Sequence, residues 1–157
     1  MKSTKSQLDS VDIELLKLLQ ADGRITNADL ARTVKLSPPS VLQRVRRLED
    51  HGYIRGYYGQ LDGGKLGYTL TAFVQISVSL QSEKPIETVR RMTKEIPEIQ
   101  EVHHISGDYD FLLKVVAEDM QDYERLIRDK LSTIPGVSKI QSCFVLQTSK
   151  STCSFPL

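Results

Sequence analysis

Ser37-Pro38-Pro39-Ser40-Val41-Leu42-Gln43-Arg44-Val45-Arg46-Arg47-Leu48-Glu49 reads as a short helix with one dry face and one basic face. Ser37 suits the N-cap and Pro38 the first helical position, where a missing N–H costs nothing. Val41, Leu42, Val45 and Leu48 then recur at helical spacing and define a buried stripe. Turned by about 100° per residue, the opposite face carries Ser40, Gln43 and Arg47, with Arg44 and Arg46 flanking it. Arg can pair with guanine, Gln with adenine, and Ser with a base or a phosphate, so such a face suits a DNA major groove. The predicted contact set is Ser37, Pro39, Ser40, Gln43, Arg44, Arg46 and Arg47. A solvated helix that happens to be basic explains these residues equally well, and the residues upstream decide.

Upstream, Leu8-Asp9-Ser10-Val11-Asp12 offers an N-cap Asp with a second acid three residues on, an acidic capping box. Ile13, Leu16 and Leu19 form a stripe, with Val11 and Leu15 beside it, and predict a helix to about Gln20. Asp22-Gly23-Arg24 ends it. Thr26-Asn27-Ala28-Asp29 repeats the cap, and Leu30, Ala31 and Val34 make a short second helix joined to Ser37 by Lys35-Leu36. That order is a helix-turn-helix, in which the small Ala31 permits close approach. Three capped helices at this spacing favour double-stranded DNA as the partner. Downstream, His51-Gly52 closes the third helix. Tyr53-Ile54-Arg55-Gly56-Tyr57-Tyr58 predicts a short strand or wing. Arg55 there either touches a phosphate or stays solvated.

The chain has 157 residues and a net charge of +1, which hides an asymmetry. Residues 1–60 hold ten Lys and Arg against seven Asp and Glu; residues 61–157 hold eleven against thirteen. The basic excess lies with the helix-turn-helix, as a nucleic-acid contact requires. Cys143 and Cys153 are too few for a disulfide framework and lack metal-ligand spacing. No segment resembles a signal peptide, and no apolar run approaches a membrane span. The expectation is a reduced, soluble, cytoplasmic protein working at the nucleoid.

The expected domains are 1–58 for DNA binding, a Gly-rich hinge at 59–70, an effector-binding and oligomerisation domain at 71–147, and an unassigned polar tail at 148–157. Gly59, Gly63, Gly64 and Gly67 mark the hinge. Residues 1–7 are polar and expected to fray.

The C-terminal part matches itself after a shift of 38 residues. Phe73 lands on Phe111, Val78 on Val116, Val89 on Ile127 and Arg90 on Arg128. Ile96-Pro97 lands on Ile134-Pro135, Ile99 on Val137 and Val102 on Ile140. Each unit reads strand, helix, strand: alternation from Val74 to Leu80, a helical stripe at Ile86, Val89, Met92 and Ile96, then a return strand, with the same order from Phe111. Two such units make the α+β ferredoxin-like βαββαβ domain, with both helices on one face of the sheet. Phe111-Leu112-Leu113 and Val115-Val116-Ala117 are apolar on both strand faces, interrupted only by Lys114. Apolar on both faces means covered on both, and no further segment of the chain supplies the cover. A homodimer through the open sheet face is therefore expected.

Between the units, Ser106-Gly107-Asp108-Tyr109-Asp110 carries more acid than a turn needs. Carboxylates and backbone N–H groups there suit the ammonium and carboxylate of an amino acid; a well-made turn with solvated acids is the equal alternative. His103 and His104 are strand neighbours that point to opposite faces, so they cannot share a metal within one chain. No nucleophile constellation, phosphate loop or paired-acid site is present in the sequence, and neither an enzyme nor a cofactor is expected.

Leu8-Asp9, Asp12, Leu15-Leu16, Asp22-Gly23-Arg24-Ile25, Leu36-Ser37-Pro38, Arg44 to Glu49, Gly52-Tyr53-Ile54 and Ser106 to Asp110 together resemble the Lrp/AsnC, or feast/famine, family of transcription regulators. The resemblance runs from about Leu8 to Leu146. It implies an N-terminal winged helix-turn-helix that binds DNA. It also implies a ferredoxin-like domain that dimerises, assembles further, often to octamers, and binds an amino acid between dimers. On that pattern His104, Gly107, Asp108, Asp110 and Ser132 are the expected effector-binding residues. The alternatives are an architectural nucleoid protein without effector, and an enzyme similar to the sirohaem decarboxylases.

Overall fold

The computed structural model describes residues 8–79 and 84–157. The segment 1–7, expected to fray, and Leu80, at the end of the first predicted strand, lie outside the described residues. The chain divides into two units. One runs up to Gln60 and takes in Ser151–Leu157; the other is Leu61–Lys150.

The first unit holds α1 (Ser10–Ala21), α2 (Asn27–Val34) and α3 (Pro38–Asp50). Asp9 caps α1 by accepting the Asp12 N–H at 2.8 Å, and the Asp12 carboxylate accepts the Asp9 N–H at 3.2 Å. The acidic capping box is thus formed in both directions. Thr26 accepts the Asp29 N–H at 3.1 Å and starts α2. Ser37 caps α3 through its backbone alone, its carbonyl accepting the Val41 N–H at 3.1 Å while its side chain makes no cap bond. Pro39 contributes to this, because at the second helical position it removes one of the two N–H donors that a cap hydroxyl meets. Lys35 turns the chain between α2 and α3 at φ 54°, and Gly52 ends α3 at φ 74°.

Leu15, Leu30, Ala31, Val41, Val45 and Leu48 form the core of this unit. Two expectations are corrected here. The stripe Ile13, Leu16 and Leu19 is only partly buried and lines an open groove; Asp12 and Leu15 are the α1 residues that enter the core. The Tyr53–Tyr58 segment forms no strand. A wing strand needs a neighbour to complete its backbone hydrogen bonds, and this unit contains no other strand among the described residues.

The second unit contains β1 (Leu70–Val78), α4 (Pro85–Lys94), β2 (Ile99–His104), β3 (Phe111–Ala117), α5 (Met120–Arg125) and β4 (Val137–Phe144). A π-helical segment, Leu126–Leu131, continues α5. The sheet order is β2-β3-β1-β4, antiparallel throughout, the ferredoxin-like arrangement. Ala72, Val74 and Ile76 of β1 and Phe111, Leu113, Val115 and Ala117 of β3 are fully buried against Val89, Tyr123, Leu126 and Leu131.

The internal repeat holds for Ile96 and Ile134, both buried, but slips by one residue in its first strands. A shift of 38 puts Phe73, which is 39% exposed, onto Phe111, which is buried. Ala72 is the residue that shares Phe111's face. One residue of slip reverses every side chain, so a shift one residue longer or shorter is needed to align the two faces. On the open face, Thr71, Phe73 and Gln75 of β1 stand opposite Val116, Lys114 and Leu112 of β3. That face is mixed, with an apolar centre.

Candidate nucleic-acid interface and effector region

The outer side of α3 forms a shallow groove of about 630 Å³. It is lined by every residue of the predicted contact set except Ser37, together with Leu42 and Asp50. Gln43 and Arg46 are exposed and have no hydrogen-bond or ion-pair partner among the described residues. They are free to meet a ligand.

Arg44 and Arg47 are placed differently. Arg44 Nη1 lies 2.7 Å from Asp9 Oδ2 and 2.7 Å from Asp12 Oδ1, and its side chain is only 27% exposed. Arg47 Nη2 donates to Asp12 Oδ2 at 2.5 Å, with the side chain 49% exposed. Asp12 is fully buried. Arg44 therefore lines the outer groove and at the same time clamps α3 to the start of α1. A buried carboxylate is tolerated only when paired and hydrogen-bonded, and Asp12 draws both arginines inward for that reason. The Asp12 N–H, and then Arg44, hold the Asp9 carboxyl below its ordinary range, while Asp9 and Asp12 push the Arg44 guanidinium up.

Behind α3, the Tyr57 hydroxyl donates to Glu49 at 2.9 Å. Burial, reinforced by that carboxylate, pushes the phenol up to about 12. Arg55 is exposed and has no partner among the described residues.

In the second unit the loop 105–110 joins β2 to β3. Gly107 has φ 124°, a backbone region that glycine occupies without strain. Asp110 is committed to the fold. Its Oδ2 accepts the Val78 N–H at 2.8 Å, its N–H donates to the Ile76 carbonyl at 2.9 Å, and its carbonyl accepts the Ile105 N–H at 2.9 Å. The Asp110 carboxylate, an expected effector ligand, is thus already engaged in holding the loop to the end of β1. Asp108 is exposed, and its carboxylate has no hydrogen-bond partner among the described residues. Beside it, Tyr109 donates to Gln141 at 2.5 Å, and Lys139 Nζ lies 4.7 Å from the Tyr109 ring centre. The Tyr109 hydroxyl, with a contribution from Asp108, holds the Lys139 ammonium above its ordinary value. The loop thus carries an exposed carboxylate, Asp108, and has the Lys139 ammonium against its Tyr109 ring.

The His104 ring centre is 5.2 Å from that of Phe111, while His103 pairs with Glu101 at 2.9 Å. No group of three metal-ligating side chains occurs among the described residues. Ser132 is not brought to the acidic loop within one chain. It lines a separate groove of about 590 Å³ with Met120, Tyr123, Ile127, Ser142 and Phe144, over the π-helical segment. Sequence reasoning missed this groove because Tyr123 and Ile127, spaced four apart, mark a helix without showing which of its sides stays open. The exposed Met120 and Phe144 were the available signal.

Comparison with known proteins agrees with both units. Residues 8–55 match the winged helix-turn-helix DNA-binding family and residues 71–155 the Lrp/AsnC ligand binding domain. The leucine-responsive regulatory protein of Escherichia coli K12 is 38% identical over 149 residues, covering 95% of this chain and 91% of that one. Its counterpart in Rhizobium meliloti is 36% identical over 147 residues, 94% of each. A transcriptional regulator of Neisseria meningitidis, solved in complex with L-methionine, superposes with a TM-score of 0.90 at 34% identity, covering 95% of this chain and 96% of that one. With a DNA-binding helix-turn-helix, a ligand-binding ferredoxin-like domain and relatives matched along nearly its whole length, the chain belongs to the Lrp/AsnC family of DNA-binding transcriptional regulators.

Proposed function

We propose that this regulator reads DNA through Ser40, Gln43, Arg46 and Arg47 on the outer face of α3, and that an amino acid bound in the C-terminal unit modulates the binding. The observation that carries the reading is the exposure of Gln43 and Arg46, without partners among the described residues, along a helix whose other side is buried at Val41, Val45 and Leu48. Ser37 and Pro39 lie at the leading end, where an N-terminus meets a phosphate. Arg44, at the edge of the same groove, braces the reading helix against α1.

The amino-acid effector is supported by the L-methionine bound to the Neisseria meningitidis relative and by the exposed Asp108 carboxylate and the Lys139 ammonium carried at the same loop. Asp108, Gly107 and Lys139 suit the ammonium and carboxylate; the apolar groove at Ser132 suits a side chain. His104 lies on the strand leading to the loop. The protein acts by binding rather than turnover, at the nucleoid of the cytoplasm, as a homodimer joined through the open sheet face. Dimers then assemble toward octamers. Residues 1–58 serve DNA, 71–147 serve effector and assembly, and 59–70 link them.

The test is a gel-shift titration of the full chain on a selected operator at several salt concentrations. Arg46→Ala reduces the salt slope by about 1, and Gln43→Ala with Arg47→Ala costs about 1–3 kcal/mol per base contact. Unchanged operator binding by the triple variant would refute α3 as the reading helix. Thermal-shift measurement with the twenty amino acids tests the effector, because a bound ligand raises the melting point by mass action.

A further inference from the structure

The three arginines of α3 have three different surroundings. Arg44 is largely buried on two carboxylates, Arg46 has no partner among the described residues, and Arg47 stands between. One Arg47 nitrogen, Nη2, is held at 2.5 Å by Oδ2 of the fully buried Asp12, while half of the side chain remains on the outer groove. Asp12 is itself immobilised, with Oδ1 on Arg44 at 2.7 Å and Oδ2 accepting the Asp9 N–H at 3.2 Å.

A guanidinium carries five N–H donors in one plane. Reading guanine through O6 and N7 uses two of them along one edge, which leaves another edge for a carboxylate. An arginine already fixed by folding gives up less rotamer freedom on docking, and its fixed plane rejects bases that present other edges. Resting on the reading of α3 as the DNA-contacting helix, we propose that Asp12, which lies outside that helix, is a positioning residue for sequence readout: it holds Arg47 in the orientation that meets a guanine edge in the major groove.

The test is selection from randomised duplexes by the full chain, comparing the native protein with Arg47→Ala, Asp12→Asn, Asp9→Asn and a Ser40/Gln43/Arg46/Arg47 quadruple alanine variant. Native protein is expected to prefer guanine at a defined position in each half-site. Arg47→Ala flattens that preference by about tenfold or more. Asp12→Asn flattens the same position, while binding to non-specific duplex stays within about threefold, because phosphate contacts supply that term. The double variant Asp12→Asn with Arg47→Ala loses nothing more than Arg47→Ala alone. Asp9→Asn weakens the cap and the Arg44 clamp, lowering the melting temperature yet leaving the guanine preference intact.

Retention of the preference by Asp12→Asn, its loss in Asp9→Asn, or additive losses in the double variant would overturn the proposal while leaving α3 as the reader. A quadruple variant with unaltered preferences would overturn α3 as the reader, and the proposal with it. Should Asp12→Asn fail to fold, nitrogen NMR of the native protein decides: slow rotation of the Arg47 guanidinium before DNA is added is expected, and free rotation refutes the proposal.

Discussion

Asp9 shows how much a single carboxylate can do at a helix start. It accepts the Asp12 N–H, pairs with Arg44, and sits below its ordinary value of 3.8. A depressed folded-state value means that the unfolded chain takes up the proton more readily. The stabilisation is therefore complete above about pH 4 and is lost as pH falls through the folded value. Denaturant titrations of native protein and Asp9→Asn should accordingly converge as the pH falls below about 4, and a constant gap would contradict the cap's charge. The two acids of the effector loop should behave in opposite ways. Asp110→Ala leaves the Val78 N–H without its acceptor and should cost about 1–3 kcal/mol of stability. Asp108→Ala should leave the melting point nearly unchanged and weaken the effector-induced thermal shift. The sequence showed that this loop was special, yet it could not separate the two roles. Residues 108 and 110 differ only in which one reaches back to a distant strand end.

At the scale of elements, caps were the most legible feature and faces the least. Asp9, Thr26 and Gly52 announce their boundaries because each acts on backbone within three residues. The faces depend on packing that local pattern does not contain. On α1, Ile13, Leu16 and Leu19 look like the core stripe, but the core takes Leu15 and the charged Asp12, which periodicity of apolar residues rejects. In β1 and β3 the same difficulty appears as the one-residue slip between Phe73 and Phe111. Tyr53–Tyr58 has strand composition without a strand partner. Leu113, in contrast, is buried on the helix-facing side of β3 with no exposed surface. Leu113→Ala should lower the unfolding free energy by about 2–5 kcal/mol in urea titration. A loss under about 1 kcal/mol would show that the site refills.

For the whole molecule, the two-unit organisation and the ferredoxin-like topology were legible, because a βαβ repeat admits few arrangements. The return of Ser151–Leu157 to the N-terminal unit was not legible, since a polar tail carries no periodicity. The dimer prediction belongs here. Val116 stands on the open sheet face opposite Thr71. Val116→Glu should keep native circular dichroism but give a monomer by light scattering, with operator affinity falling by at least tenfold as the second half-site is lost. A dimeric Val116→Glu protein would move the interface elsewhere.

Cys153 and Phe155 line the flank of α1 beside Leu16 and Leu19, and the Gln20 side-chain amide grips Phe155 through both its N–H, at 3.0 Å, and its carbonyl, at 2.9 Å. All of Leu61–Lys150 is translated between the helix and the residues that lie on it. At about 5–20 residues per second, the ribosome needs roughly 5–20 s to bridge that interval. Throughout it the newborn helix-turn-helix shows a greasy flank to its surroundings, so its moment of greatest vulnerability to aggregation falls during synthesis rather than after it.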